Sequence, residues 1–189
     1  MKIVGLRLSS TTPLLLHNGQ MANPMNPISR EMKKISGKRG KTDADLTELA
    51  RLEFVGGMYT DDKGVPAIPG KVILGSLRNG ARKLKKGKSV ESGVFIRGPF
   101  PLQYDGPKTI EELWNDESFR LQEVVTIGQS KIVRTRPMFS NWGLEVEILF
   151  NENLVNEADI VEWMSIAGEQ VGIGDWRTGG YGLFTVEKI

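Results

Sequence analysis

The run Trp142-Gly143-Leu144-Glu145-Val146-Glu147-Ile148-Leu149-Phe150 shows the clearest alternation in the chain, with Leu144, Val146 and Ile148 on one face and Glu145 and Glu147 on the other. Extended backbone points successive side chains to opposite sides, so this pattern predicts a half-buried strand. Downstream, Asn156-Glu157-Ala158-Asp159 offers a cap and early acids. Ile160, Val161, Met164 and Ala167 or Gly168 then recur at helical spacing. A glycine-rich run from Gly172 to Gly182 follows that helix and leads into a closing strand, Leu183 to Ile189.

Upstream, 121–127 and 129–136 read as strands, and 108–119 as a short acidic helix. Val94-Phe95-Ile96 reads as a strand followed by a Pro/Gly-rich loop through Pro107. Pro69-Gly70 opens a helix whose stripe is Ile73, Leu74, Leu77, Ala81 and Leu84, since proline suits a first helical turn. Residues 59–68 suggest strand, turn, strand. The stretch 42–54 is a capped amphipathic helix with Leu46, Leu49, Ala50 and Phe54 along one side. Residues 19–42, rich in Gly, Asn, Pro, Met, Lys and Ser without a sustained period, are expected to form a mobile basic loop. Residues 1–10 alternate as a strand with Val4, Leu6 and Leu8 toward the core, and 14–19 follow as a short strand or turn.

This order approaches β-α-β-β-α-β, which predicts an α+β, ferredoxin-like or RRM-like antiparallel sheet with helices on one face and long basic insertions. At 189 residues, with no internal repeat and no second hydrophobic nucleus, the expectation is one domain over 1–189. The absence of cysteine removes thiolate catalysis, Cys-ligated zinc, iron–sulfur clusters and disulfides. One histidine, His17, excludes two-His metal sites. Apolar runs are short and the first residues alternate, so neither membrane partner nor signal peptide is expected and the chain reads as cytoplasmic.

Net charge is only +2, but its distribution is uneven. Arg30, Lys33, Lys34, Lys38, Arg39 and Lys41 stand against one acid, Glu31. Lys71, Arg78, Arg82, Lys83, Lys85, Lys86 and Lys88 stand against none, and Lys71, Arg78, Arg82 and Lys85 share a helix face. Two acid-poor basic windows favour a polyanion partner. Arg134 and Arg136 lie on one face of a strand ahead of an aromatic, a pattern that suits an RNA-binding sheet and an edge strand alike.

The run Gly172-Ile173-Gly174-Asp175-Trp176-Arg177-Thr178-Gly179-Gly180-Tyr181-Gly182 places Trp176, Arg177 and Tyr181 among glycines, which let backbone approach a ligand while the side chains stack or pair. It follows a helix and lacks Gly-Lys-Ser/Thr, so it is neither a Rossmann nor a P-loop fingerprint, and no cofactor is expected. The same run resembles the C-terminal glycine-rich loop of the RAMP superfamily, the RRM-like proteins of CRISPR–Cas systems. Ile68-Pro69-Gly70-Lys71-Val72-Ile73-Leu74-Gly75-Ser76-Leu77-Arg78 resembles that superfamily's IPG-x-x-x-x-G-x-L-R segment. The resemblance lies nearer to the backbone subunits that coat a guide RNA than to the repeat-cleaving endoribonucleases, and it extends to stand-alone or phage- or plasmid-encoded relatives. It implies sequence-tolerant binding of single-stranded RNA, or DNA, by copies side by side or with other complex subunits.

Two alternatives stand beside it. His17 is the one side chain whose ordinary pKa makes it a general base near neutral pH, which admits a small metal-independent endoribonuclease with Lys33, Lys34 or Arg39 on the phosphate. A protein–protein adaptor of a CRISPR-type complex is the other. Asp43 and Asp45 read as helix-start acids and Asp61 and Asp62 as a turn, so no metal site is expected.

Overall fold

The computed structural model describes the backbone of residues 1–189 and every side chain except those of Ile127 and Ser130. In chain order the elements are β1 (Lys2–Ser10), β2 (Leu14–Leu15), α1 (Pro27–Ser36), α2 (Asp43–Gly57), β3 (Ala67–Ile68), α3 (Gly70–Lys83) and α4 (Gly87–Gly93). There follow β4 (Val94–Ile96), β5 (Phe100–Pro101), α5 (Ile110–Asn115), β6 (Arg120–Ile127), β7 (Ser130–Phe139), β8 (Gly143–Phe150), α6 (Glu157–Gln170) and β9 (Phe184–Lys188). The architecture is α+β with antiparallel sheets.

The main sheet has the order β4-β8-β1-β9, every neighbouring pair antiparallel. The register Leu6↔Val146 and Leu8↔Leu144 brings the expected apolar faces of β1 and β8 together. Val4, Leu6, Leu8, Leu144, Val146 and Ile148 are all buried in one cluster with Ile73, Leu77, Ile160 and Met164 of the helices. The opposite sheet face is open: Ile3 is 60% and Phe95 49% exposed. Two glycines bring the helical layer close. A Cβ on Gly80 of α3 would sit 2.3 Å from the Trp163 carbonyl oxygen of α6, and one on Gly168 2.2 Å from that of Phe184 in β9.

Strands β6 and β7 pair in register from Arg120↔Pro137 to Ile127↔Ser130 and join β2 in a second, three-stranded sheet of order β2-β7-β6. This hairpin stands apart from the main sheet. Helix α2 packs on β7 and carries the capping box expected at its start, Thr42 with Asp45.

Several sequence expectations are corrected. Residues 19–42 are not a continuous loop: they hold a 3-10 turn, Gly19–Ala22, and α1. The Asn26 side chain accepts from the Ile28 and Ser29 amides, Pro27 occupies the first turn, and Ile35 is buried. On α2, Leu46 is 53% exposed while Leu52, Glu53 and Phe54 are buried, so the packed stripe lies toward the helix's second half. Leu84 is likewise exposed, because α3 ends one residue earlier. Residues 59–68 form one bridge, Thr60↔Pro66, and β3 takes β5 as its partner. Among the described residues no helix is long and apolar enough to cross a membrane.

Candidate nucleic-acid interface

An open cleft of about 1090 Å³ lies between the helices α1 and α2 and the β6–β7 hairpin. Met21, Met32, Leu46, Leu49 and Val133 give it an apolar lining; Lys33, Lys41, Arg120, Arg134 and Arg136 give it cations. Glu53 is the one acid among the described residues that line it, and His17 stands on its wall. Apolar surface for bases beside cations for phosphates is the combination a single strand requires.

Sequence-distant segments build this cleft. Asn26 starts α1 and thereby fixes Lys33, which has no acidic partner among the described residues. Lys41 donates to the Lys38 carbonyl at 3.3 Å and likewise has no acidic partner among the described residues. Lys38 is otherwise engaged: it donates to Asp45, which holds that carboxyl at a pKa of about 2, so Lys38 secures the start of α2. Lys34 pairs with Glu31 at 2.8 Å, and Arg39 is exposed and unpaired among the described residues.

Arg134 and Arg136 face an acid that the sequence did not reveal. Glu53 is 8% exposed; one carboxylate oxygen accepts from Arg134 Nη1 at 2.9 Å and Arg136 Nη1 at 3.0 Å, the other from the Thr135 amide at 2.8 Å. Arg136 Nε also donates to Asp175 Oδ2 at 2.9 Å. The two arginines are therefore structural ties among α2, β7 and the glycine-rich loop, with charge already largely answered. A carboxylate accepting three donors repays its desolvation; without them it would not remain buried.

The glycine-rich run is ordered by backbone hydrogen bonds: Asp175 N donates to the Leu15 oxygen, and Gly182 N to that of Pro13, each at 2.8 Å. A Cβ on Gly174 would lie 2.3 Å from the Leu15 oxygen, so close passage over β2 requires glycine there. Trp176 is 45% exposed, adopts φ 45°, and stacks on Tyr181 with centroids 5.4 Å apart. Arg177 is exposed and has no acidic partner among the described residues. A second cavity of about 330 Å³ lies beside Trp176, also touching Arg134, Arg136 and Asp175. The two cavities thus flank one arginine pair.

The α3 cations are not brought to either cavity. Arg78 and Arg82 both lie against Glu91 of α4, at 3.5 and 3.4 Å; this acid falls just beyond the acid-free window. Lys71 and Lys85 are exposed without such a partner among the described residues. His17 is exposed at the cleft wall, yet surrounding protein and the nearby Arg136 lower its pKa, favouring neutral imidazole. The described residues contain no cluster of three or more His, Asp or Glu suited to a metal ion.

No family model matches this chain, and no curated protein does. Among solved structures it is similar to a chain of the cryo-EM structure of the Type III-B Cmr-beta bound to cognate target RNA, with a TM-score of 0.53 and 15% identity. The alignment covers 100% of this chain and 61% of that one, so this chain spans about three-fifths of its neighbour's length. At this identity the likeness establishes a shared fold with that chain and nothing further.

Proposed function

We propose that this chain is a RAMP-like, single-stranded RNA-binding subunit that assembles with further copies or with other subunits of a CRISPR-type complex in the cytoplasm. The observation that carries the reading is the cleft between α1–α2 and the β6–β7 hairpin, where unpaired Lys33 and Lys41 border a methionine- and leucine-lined wall. The strand order β4-β8-β1-β9, with α3 between β1 and β4 and α6 between β8 and β9, supports a ferredoxin-like core over one domain, residues 1–189. The shared fold with a chain of an RNA-bound Cmr-beta supports RNA over DNA. Arg177, Trp176 and Tyr181 extend the surface from the other side of the hairpin. Light scattering with a ~40-nucleotide RNA tests this: a strand several times longer than one site of ~4–16 nucleotides should load several chains, and elution of free protein beside free RNA would end the reading.

His17 sustains a second reading, a metal-independent endoribonuclease, because a neutral imidazole lines the cleft beside Arg136. Denaturing electrophoresis of the RNA after incubation with wild type and with His17→Ala separates the two: a binder leaves the strand intact with both proteins, whereas a His-dependent nuclease cuts it and loses that cleavage in the variant.

A further inference from the structure

The smaller cavity has features that a general strand-binding groove does not need. Trp176 occupies a left-handed conformation, φ 45°, which side-chain-bearing residues rarely adopt and which tends to persist where function uses it. Gly179 lies beneath the indole so closely that a Cβ there would be 3.0 Å from the ring. Gly180 at φ +84° then turns the chain so that Tyr181 can stack at an interplanar angle of 22°. Together these residues hold an exposed aromatic ring rigidly at the rim of the cavity. At about 330 Å³ the cavity sits at the small end of ligand pockets, roughly 300–1,000 Å³, a size suited to one base with its sugar.

Asp175 supplies a hydrogen-bonding edge. Its amide donates to the Leu15 oxygen and its Oδ2 accepts from Arg136, which fixes the carboxylate; among the described residues no donor reaches Oδ1. Leu15, Leu121 and Val125 give the cavity apolar walls, and Glu123 adds a second carboxylate. A carboxylate is an acceptor only. Guanine presents two adjacent donors on its pairing edge, N1–H and the 2-amino group. Adenine and cytosine present one donor beside an acceptor. Uracil presents one N–H between two carbonyl oxygens, which the carboxylate repels.

We propose that the cavity beside Trp176 receives one nucleobase of the bound strand and selects guanine against uracil, Trp176 stacking on the base and Asp175 accepting from its donor edge. The proposal rests on the single-strand reading above and adds a base preference to it.

The test compares ~12-nucleotide oligouridylate with the same strand carrying one central guanosine, by fluorescence anisotropy at fixed salt. The guanosine strand should bind about tenfold tighter, the low end of a bidentate pair's roughly 1–3 kcal/mol. Inosine, which keeps N1–H and lacks the 2-amino group, should lose most of the gain. Asp175→Asn should erase the difference between the two strands, even though the freed Arg136 raises the affinity of both together, and Trp176→Leu should weaken both strands together. Should Asp175→Asn fail to fold for want of the Arg136 pair, the base series on the wild-type chain decides. Equal affinity for the uridine and guanosine strands overturns the proposal and leaves the RNA reading intact; no binding to either strand overturns the reading and the base slot with it.

Discussion

At Glu53 a buried carboxylate is held by two guanidinium groups and a backbone amide, and the charge of the cleft depends on it. Glu53→Gln keeps the size and one acceptor but removes the charge that answers Arg134 and Arg136. Stability should fall by about 1–3 kcal/mol in urea unfolding, the range for a buried partner lost, while single-stranded RNA binds several-fold tighter to the unanswered arginines. The two effects run in opposite directions, so stability loss with unchanged affinity would show that the arginines do not meet the strand. His17 gives a pH signature. Its ordinary value is 6.5 and folding lowers it, so the unfolded chain takes up this proton first. The contribution is fully present above about pH 6.5 and is lost as pH falls through the window between 6.5 and the lowered folded value. The melting temperature of His17→Gln should show less decline over this interval than wild type; parallel curves would remove His17 from the acid response.

At the scale of elements, the basic helix face and the basic insertion part company. Lys33 and Lys41 border the cleft with no acidic partner among the described residues, whereas Arg78 and Arg82 share Glu91 away from it. Replacing Lys33 and Lys41 with alanine should reduce the slope of log K against log salt by roughly 1.4, about 0.7 per phosphate contact on a single strand. Replacing Arg78 and Arg82 should leave the slope near wild type. The reverse result would move the strand to α3. Glu91 was not legible as their partner because it comes from the next helix, which places it beside a face it does not share in sequence. Helix α1 was hidden for a different reason: its Asn26-Pro27 start is a proper cap, but Met, Lys and Ser composition masked Ile28, Met32 and Ile35. The secure elements, β1, β8, α2 and α6, are those whose period or capping box lies within the element.

At the scale of the molecule, α1 and α2 form one wall of the cleft and the linker between them, Gly37 to Lys41, carries Lys38, Arg39 and Lys41 in exposed backbone. Limited trypsin digestion should cut the free protein first in this linker, and saturating RNA should protect it; identical digestion with and without RNA would separate the linker from the strand. The faces of β1 and β8 and the starts of α2, α3 and α6 were legible along the chain, because alternation, helical spacing and caps depend on neighbours within a turn or two. The pairing of β6–β7 with β2 was not, nor the burial of Glu53, because the arginines that make Glu53 tolerable lie 81 and 83 residues further on. A cation's availability depends on which acid folds against it, and a cleft exists only between surfaces that distant segments supply. Composition could therefore point toward a polyanion partner, while folding assigned Arg134 and Arg136 to an internal tie and left Lys33, Lys41 and Arg177 facing outward.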